Sequence, residues 1–295
     1  MRILICSDGM PASAAATRLG GIISHACHAE TVVLGIVERP PDEAALREAL
    51  AREAQQLRYN SVEPKIVIRA GEPIREILNE TSTSKYDLVV IGAQHKGRSG
   101  LYWRSAKTYE VIKAITPPVL VAIGGCETLR KFVVCTGGRE FIDDALSLTG
   151  TIAAAVNASV TLLHVMAEPP AMYTDLVRLE EDLNRLLESR SELGVNLSRQ
   201  KKILEQLGVK AEVRIRHGMV TDQVFAEVRD GHYDMVVTGT TRARGMVRHY
   251  LMGDLTRHIL NRSNCPVLVA RSTSKPRSFW ARLKRAFAGS PPADA

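Results

Sequence analysis

Short runs rich in Val, Ile and Leu punctuate the chain, and between them the apolar positions fall into helical spacing. The runs near residues 2–7, 31–37, 64–69, 87–92 and 118–123 are apolar at consecutive rather than alternate positions. That pattern predicts strands buried on both faces, as in a parallel sheet covered by helices. Helical spacing occupies residues 11–27, 42–58, 73–83 and 102–115. The same order then starts again. "ILICSDG" (Ile3 to Gly9) returns as "FVVCTGG" (Phe132 to Gly138), and "VVLGIVERPP" (Val32 to Pro41) as "TLLHVMAEPP" (Thr161 to Pro170). "VIRAGEP" returns as "RIRHGMV", "YDLVVIG" as "YDMVVTG", and "PVLVA" recurs at Pro118 and Pro266. Repeated segments in one fixed order define a duplicated unit. The expected fold is α/β, with two repeated doubly wound five-stranded parallel sheets.

The boundaries follow from this repeat. Residues 1–125 form a first domain, residues 130–271 a second, and residues 272–295 a basic amphipathic tail. The second copy carries a long helical insertion at about residues 171–208, in which Leu176, Leu179, Leu183, Leu186 and Leu187 make a packing stripe. No run reaches the roughly 18 apolar residues that cross a bilayer, and the first strand is too short for a secretory leader. A cytoplasmic protein is expected. Most of the formal charge of +7 sits from Arg271 onward, where six basic residues face Asp294 alone. The nearly neutral body therefore gives no sign of a specific nucleic-acid surface. The five cysteines include no Cys-x-x-Cys pair, and Cys6 and Cys135 lie inside apolar strands, so no metal site is expected.

The loops after the fourth strand of each copy carry the chemistry. "IGAQHKGRSGLYWRSAKTYEVI" (Ile91 to Ile112) and "TGTTRARGMVRHYLMGDLTRHIL" (Thr238 to Leu260) both begin at a glycine and later enter a helical pattern. With the repeated strand ends and the closing "CPVLVA", the chain resembles a tandem universal stress protein over about residues 1–271. That family includes members that bind ATP and members that do not. The resemblance implies two Rossmann-like domains related by a pseudo-twofold axis. It also implies that fifth strands pair between domains, here Val119–Val121 against Val267–Val269 as an internal pseudo-dimer. A homodimer of two chains would add to this through helix faces.

The binding members place Gly-x2-Gly-x9-Gly-(Ser/Thr) after the fourth strand. Glycine lets the backbone approach phosphate, and a hydroxyl at a helix start completes the anion site. Carried onto the first copy, those positions are Gly92, His95, Ser105 and Ala106, with Gly97 and Thr108 beside them. Ser7 and Asp8 stand at the acidic position after the first strand, and Val37 at the adenine side. The resemblance thus implies ATP-class binding with Asp8 on the ribose and phosphates over Gly92 to Gly97 and Ser105 to Thr108, with magnesium only alongside ATP. The second copy departs further. Its positions are Gly239, Arg242, Gly253 (one residue late) and Asp254, with Gly137 replacing the acid and Val165 and Thr256 completing the set. A carboxylate where phosphate should sit makes this the weaker candidate.

No Gly-x-Ser-x-Gly, His-Glu-x-x-His or Walker Gly-x4-Gly-Lys-(Ser/Thr) occurs, so a binding protein is expected rather than a catalyst, with slow ATP hydrolysis left open. The alternative is a scaffold that binds no nucleotide and works through its contacts. Its tail places Phe279, Trp280, Leu283 and Phe287 on one helical side, with Arg282, Lys284 and Arg285 around the other. Aromatic residues opposite cations suit an anionic membrane surface, such as the inner face of the membrane, or a protein partner.

Overall fold

A computed structural model describes residues 1–93, 106–125, 128–137, 142–167, 183–242, 250–251 and 253–271 of the chain. In the first domain the strands are β1 (Arg2–Ser7), β2 (Glu30–Val37), β3 (Pro64–Ala70), β4 (Leu88–Gly92) and β5 (Val119–Ala122). The helices between them are α1 (Pro11–Ala26), α2 (Glu43–Tyr59), α3 (Pro73–Thr83) and α4 (Ala106–Ala114). The second domain contains β6 (Lys131–Cys135), β7 (Ser159–Met166), β8 (Ala211–His217), β9 (Met235–Arg242), β10 (Tyr250–Leu251) and β11 (Val267–Arg271). Its helices are α5 (Asp143–Ala155), α6 (Leu183–Glu188), α7 (Glu192–Gln206), α8 (Val220–Gly231) and α9 (Asp254–Arg262).

All main strands join one sheet in the order β3-β2-β1-β4-β5-β11-β9-β6-β7-β8, and β10 pairs β9. Each domain therefore has the same internal order, its third strand outermost and its fifth at the centre of the whole sheet. The pairs are parallel within a domain, apart from the β9–β10 hairpin, and antiparallel at the junction. There Val267 faces Val121, Leu268 faces Leu120 and Val269 faces Val119. The expected internal pairing of fifth strands is thus present. All six side chains are fully buried. Full burial of such a side chain contributes roughly 1.5–3 kcal/mol, so the junction belongs to the core.

Two apolar clusters cover the two faces. One packs α1, α2, α5 and α7 against Ile3, Ile5, Val33 and Leu120. The other packs α3, α4, α8 and α9 against Leu4, Leu34, Val121 and Val269. Period-two alternation along each strand sends successive side chains to opposite clusters. Gly35 shows how closely the layers approach, since a Cβ there would stand 2.4 Å from Leu50 Cδ1.

Within the span read as a helical insertion, about residues 171–208, the described residues hold two helices. Helix α7 joins β7 to β8 as α2 joins β2 to β3, so it is the ordinary crossover of the unit. Ser191 starts it by accepting the Gly194 N–H at 3.1 Å, which separates it from the six-residue α6. A continuous leucine stripe could not mark that break. Leu186 and Leu187 pack against the core as expected, while Leu176 and Leu179 lie outside the described residues.

Buried carboxylates lock both copies in the same way. Glu80 (5% exposed) accepts the Tyr86 hydroxyl at 2.6 Å and Arg69 at 2.5 Å. Glu227 (0% exposed) accepts Tyr233 at 2.7 Å, Arg214 at 2.7 Å and Arg216 at 2.6 Å. Burial works to raise both carboxyl groups, but the tyrosine and arginine hydrogen bonds outweigh it and hold both below the ordinary value. Arg2 lies over the Tyr86 ring and Lys131 over that of Tyr233, each at 4.8 Å.

Candidate functional site

In a doubly wound sheet the natural binding crevice lies at the carboxyl ends of the strands where the winding direction reverses. In the first domain that point lies between β1 and β4. A cleft of about 340 Å³ opens there, lined by Cys6, Ser7, Asp8, Ile36, Glu38, Gly92, Thr108 and Val111 among others. A neighbouring groove of about 740 Å³ shares Asp8, Ile36 and Glu38 and continues over Met10 toward Ala49 and Arg52.

The first turn is built before any ligand arrives. The Asp8 Oδ1 accepts the Met10 N–H at 3.0 Å, which bends the chain from β1 into α1. The buried Ser7 hydroxyl donates to Glu53 at 2.8 Å and accepts the Gly9 N–H at 3.1 Å. Thr17 holds the other Glu53 oxygen at 2.8 Å. Thus β1, α1 and α2 are tied together directly behind the cleft. Cys6 also lines the wall, but burial, followed by the Glu80 charge, pushes its thiol up to about 12. It is no nucleophile near neutral pH.

At the other side, Gly92 ends β4 paired with Ala122, and the buried Thr108 sits in the first turn of α4. Among the described residues that turn carries no acidic side chain, so the positive end of the helix suits an anion. Ser7, Asp8, Gly92 and Thr108 therefore come together as the resemblance implied. Ala106 begins α4, while His95, Gly97 and Ser105 lie outside the described residues.

Val37 borders the neighbouring groove beside Asp8, while its side chain is 4% exposed and packs with Leu46 and Leu50 in the cluster on the opposite face from α4. Its carbonyl accepts the Gly71 N–H at 3.0 Å. Alternation along β2 instead brings Ile36 and Glu38 to the cleft. Reading outward from Leu34 in steps of two would have found them.

The second domain answers each feature with a different group. Thr136 takes the place of Ser7 and donates to the fully buried Gln200 at 2.9 Å, an amide where the first domain has Glu53. Gly137 is exposed at the acidic position, and Val165 packs half-buried against the α8 and α9 side. The largest departure concerns Gly239. It was expected to end a strand, but β9 continues to Arg242 because β11 also runs one residue further. Gly239 pairs with Ala270, Thr240 with Arg271, and β10 returns antiparallel against Thr241 and Arg242. Thr256 meets the Thr238 hydroxyl at 2.9 Å and donates to the Gly239 carbonyl at 3.3 Å. Gly253 precedes α9, whose first turn carries Asp254, a charge opposed to any phosphate there. His164 places Nδ1 2.9 Å from the Thr136 carbonyl.

These features define a duplicated doubly wound α/β protein in which, among the described residues, a crevice opens at the switch point of the first domain and a β9–β10 hairpin extends the fourth strand of the second. The universal stress protein family model matches residues 1–122 and again residues 128–271. The chain belongs to the universal stress protein family as a tandem member. Universal stress protein Slr1230 of Synechocystis is 22% identical over 307 residues, spanning 91% of this chain and 99% of the relative. Universal stress protein MJ0531 of Methanocaldococcus jannaschii is 25% identical over 146 residues, covering 50% of this chain and 84% of the relative. The crystal structure of a universal stress protein from Archaeoglobus fulgidus superposes with a TM-score of 0.71 at 15% identity, covering 92% of this chain and 98% of that one. A functionally unknown protein, PA1789 from Pseudomonas aeruginosa, gives 0.67 at 16% identity, with 98% and 97% covered. The last two establish the fold.

Proposed function

We propose that the protein binds one adenine nucleotide of the ATP class in the first domain and acts as a stress-response binding or signalling protein rather than an enzyme. The observation that carries this reading is the cleft of about 340 Å³ at the switch point, bounded by Asp8, Gly92 and Thr108. The ribose hydroxyls would donate to Asp8, and the base would lie against Ile36 and Glu38. The phosphates would face the first turn of α4, with magnesium entering only as their counterion. When bound, the nucleotide supplies negative charge at a helix start that holds no carboxylate of its own. Nucleotide released from freshly purified protein and identified by mass spectrometry tests the reading. It requires an adenine nucleotide in wild type and its loss in Asp8→Ala.

The second domain acts in this reading as a structural partner. Both fifth strands are already paired internally, so a homodimer would use helix faces or the outer strands β3 and β8. Among the described residues no helix is long and apolar enough to cross a membrane. We place the protein in the cytoplasm on the reading of the sequence. The tail residues Phe279, Trp280, Arg282, Leu283, Lys284, Arg285 and Phe287 lie outside the described residues. Their pattern supports attachment to an anionic membrane surface at its inner face. Co-sedimentation with anionic vesicles at low salt should be lost when residues 274–295 are deleted; unchanged co-sedimentation would reject the attachment.

A further inference from the structure

Helix α4 belongs to the first domain but is gripped by the second. Its first turns supply Thr108 and Val111 to the cleft. Beyond its other end stand backbone carbonyls without helical partners, which bear partial negative charge. Arg271, the last residue of β11, is 2% exposed and reaches across the junction to them. Its guanidinium donates to the carbonyls of Ile112, Ile115 and Pro117. On the exposed side of α4 the Tyr109 hydroxyl donates to Asn261 of α9, and Arg257 lies over the Tyr109 ring at 5.8 Å. The β10 hairpin strand also comes against α4.

Among the described residues, the repeat-related positions offer no matching grip on α9. By the repeat, the counterpart of Arg271 is Ile123, a buried apolar residue with no side-chain donor. The counterparts of Asn261 and Tyr109 are Lys113 and Arg257, two cations that would repel one another. Among the described residues, donors and the β10 strand therefore reach α4 from the second domain.

We infer that the second domain positions α4, with Arg271 as the principal positioning residue, and thereby sets how tightly the first-domain cleft holds an anionic ligand. The ligand part rests on the nucleotide reading above; the positioning part does not. Coupling between two sites is reciprocal, so a ligand that α4 helps to hold must in turn tighten the contacts made by α9.

Hydrogen exchange on the full chain, with and without magnesium ATP, tests this in wild type, Arg271→Met, Arg271→Lys and Tyr109→Phe. Without ligand, loss of the charged hydrogen bonds in Arg271→Met should speed exchange in α4 and at Ile115 and Thr116 by about tenfold, with β1 to β3 unchanged. Arg271→Lys should restore part of the protection. Tyr109→Phe, which keeps the ring, should give a smaller change of the same sign and carries the test if Arg271→Met fails to fold. ATP should slow exchange in α9 of wild type, and this effect should vanish in Arg271→Met. Unchanged α4 exchange in folded variants would overturn the positioning role. Protection by ATP confined to the first domain of wild type would overturn the coupling. If ATP protects nothing in wild type, the nucleotide reading fails and the ligand-free comparison still decides the positioning.

Discussion

The two domains share a fold, a strand order and a buried Glu–Tyr–Arg lock, yet their strand ends have separated. In the first, β4 stops at Gly92 and a cleft opens behind it; in the second, β9 runs on to Arg242 and folds back through β10. The difference begins with one residue. Arg271 lengthens β11 and pairs with Thr240, whereas β5 ends at Ala122. A duplicated core thus leaves the ends of its strands free to diverge, and ligand sites of this fold lie at those ends.

Substitutions test how far the two domains have diverged, beginning with the shared core. Leu120 and Leu268 face each other across the junction, both fully buried. Leu120→Ala and Leu268→Ala should each cost about 2–5 kcal/mol in urea unfolding, as for other core leucines. A large cost from one and none from the other would show that the two halves do not share one cooperative core.

The carboxylate locks come next. Glu227 binds two arginines and Tyr233 with no exposure, while Glu80 binds one arginine and Tyr86. Glu227→Gln should cost about 3 kcal/mol, the lower end for a broken buried pair because its arginines are partly exposed, and Glu80→Gln less. Both carboxyl groups are held below 4.5 in the folded chain. Their stabilisation is therefore complete above that value and is lost as pH falls below it. Unfolding midpoints measured from pH 6 downward should drop less for Glu227→Gln than for wild type.

Much of this architecture was legible in the sequence. Consecutive apolar runs located the strands of the first domain within a residue or two, and the family resemblance implied the fifth-strand pairing. Glu80 and Glu227 were overlooked, although each stands six residues before the repeated Tyr-Asp. The site was less legible. Ser7, Asp8, Gly92 and Thr108 line one cleft and Val37 borders the adjoining groove, but Ile36 and Glu38, which period two brings to the cleft, were not named. Strand length beyond Gly239 depends on a partner strand far along the chain, which no local pattern records. Nor does spacing show that Gln200 replaces Glu53.

Two threonines at matching positions divide stability from binding. Thr256→Val removes the bonds to Thr238 and Gly239 and should cost about 1 kcal/mol without altering nucleotide affinity. Thr108→Val should weaken nucleotide binding about fivefold, the loss of one hydrogen bond, with little change in stability. A loss of affinity from Thr256→Val in calorimetry would return the second domain to the role of a binding site. The smallest effect concerns the paired thiols. Burial pushes Cys6 and Cys135 up to about 12, so both should resist alkylation at pH 7.5 in the folded protein and react on unfolding.

Of the two homologous domains, only the first is proposed to bind nucleotide. Titration of the full chain with ATP and magnesium in a calorimeter should give one nucleotide per chain, with binding abolished by Asp8→Ala and retained by Asp254→Asn. Two nucleotides per chain, or none at millimolar ATP, would contradict it.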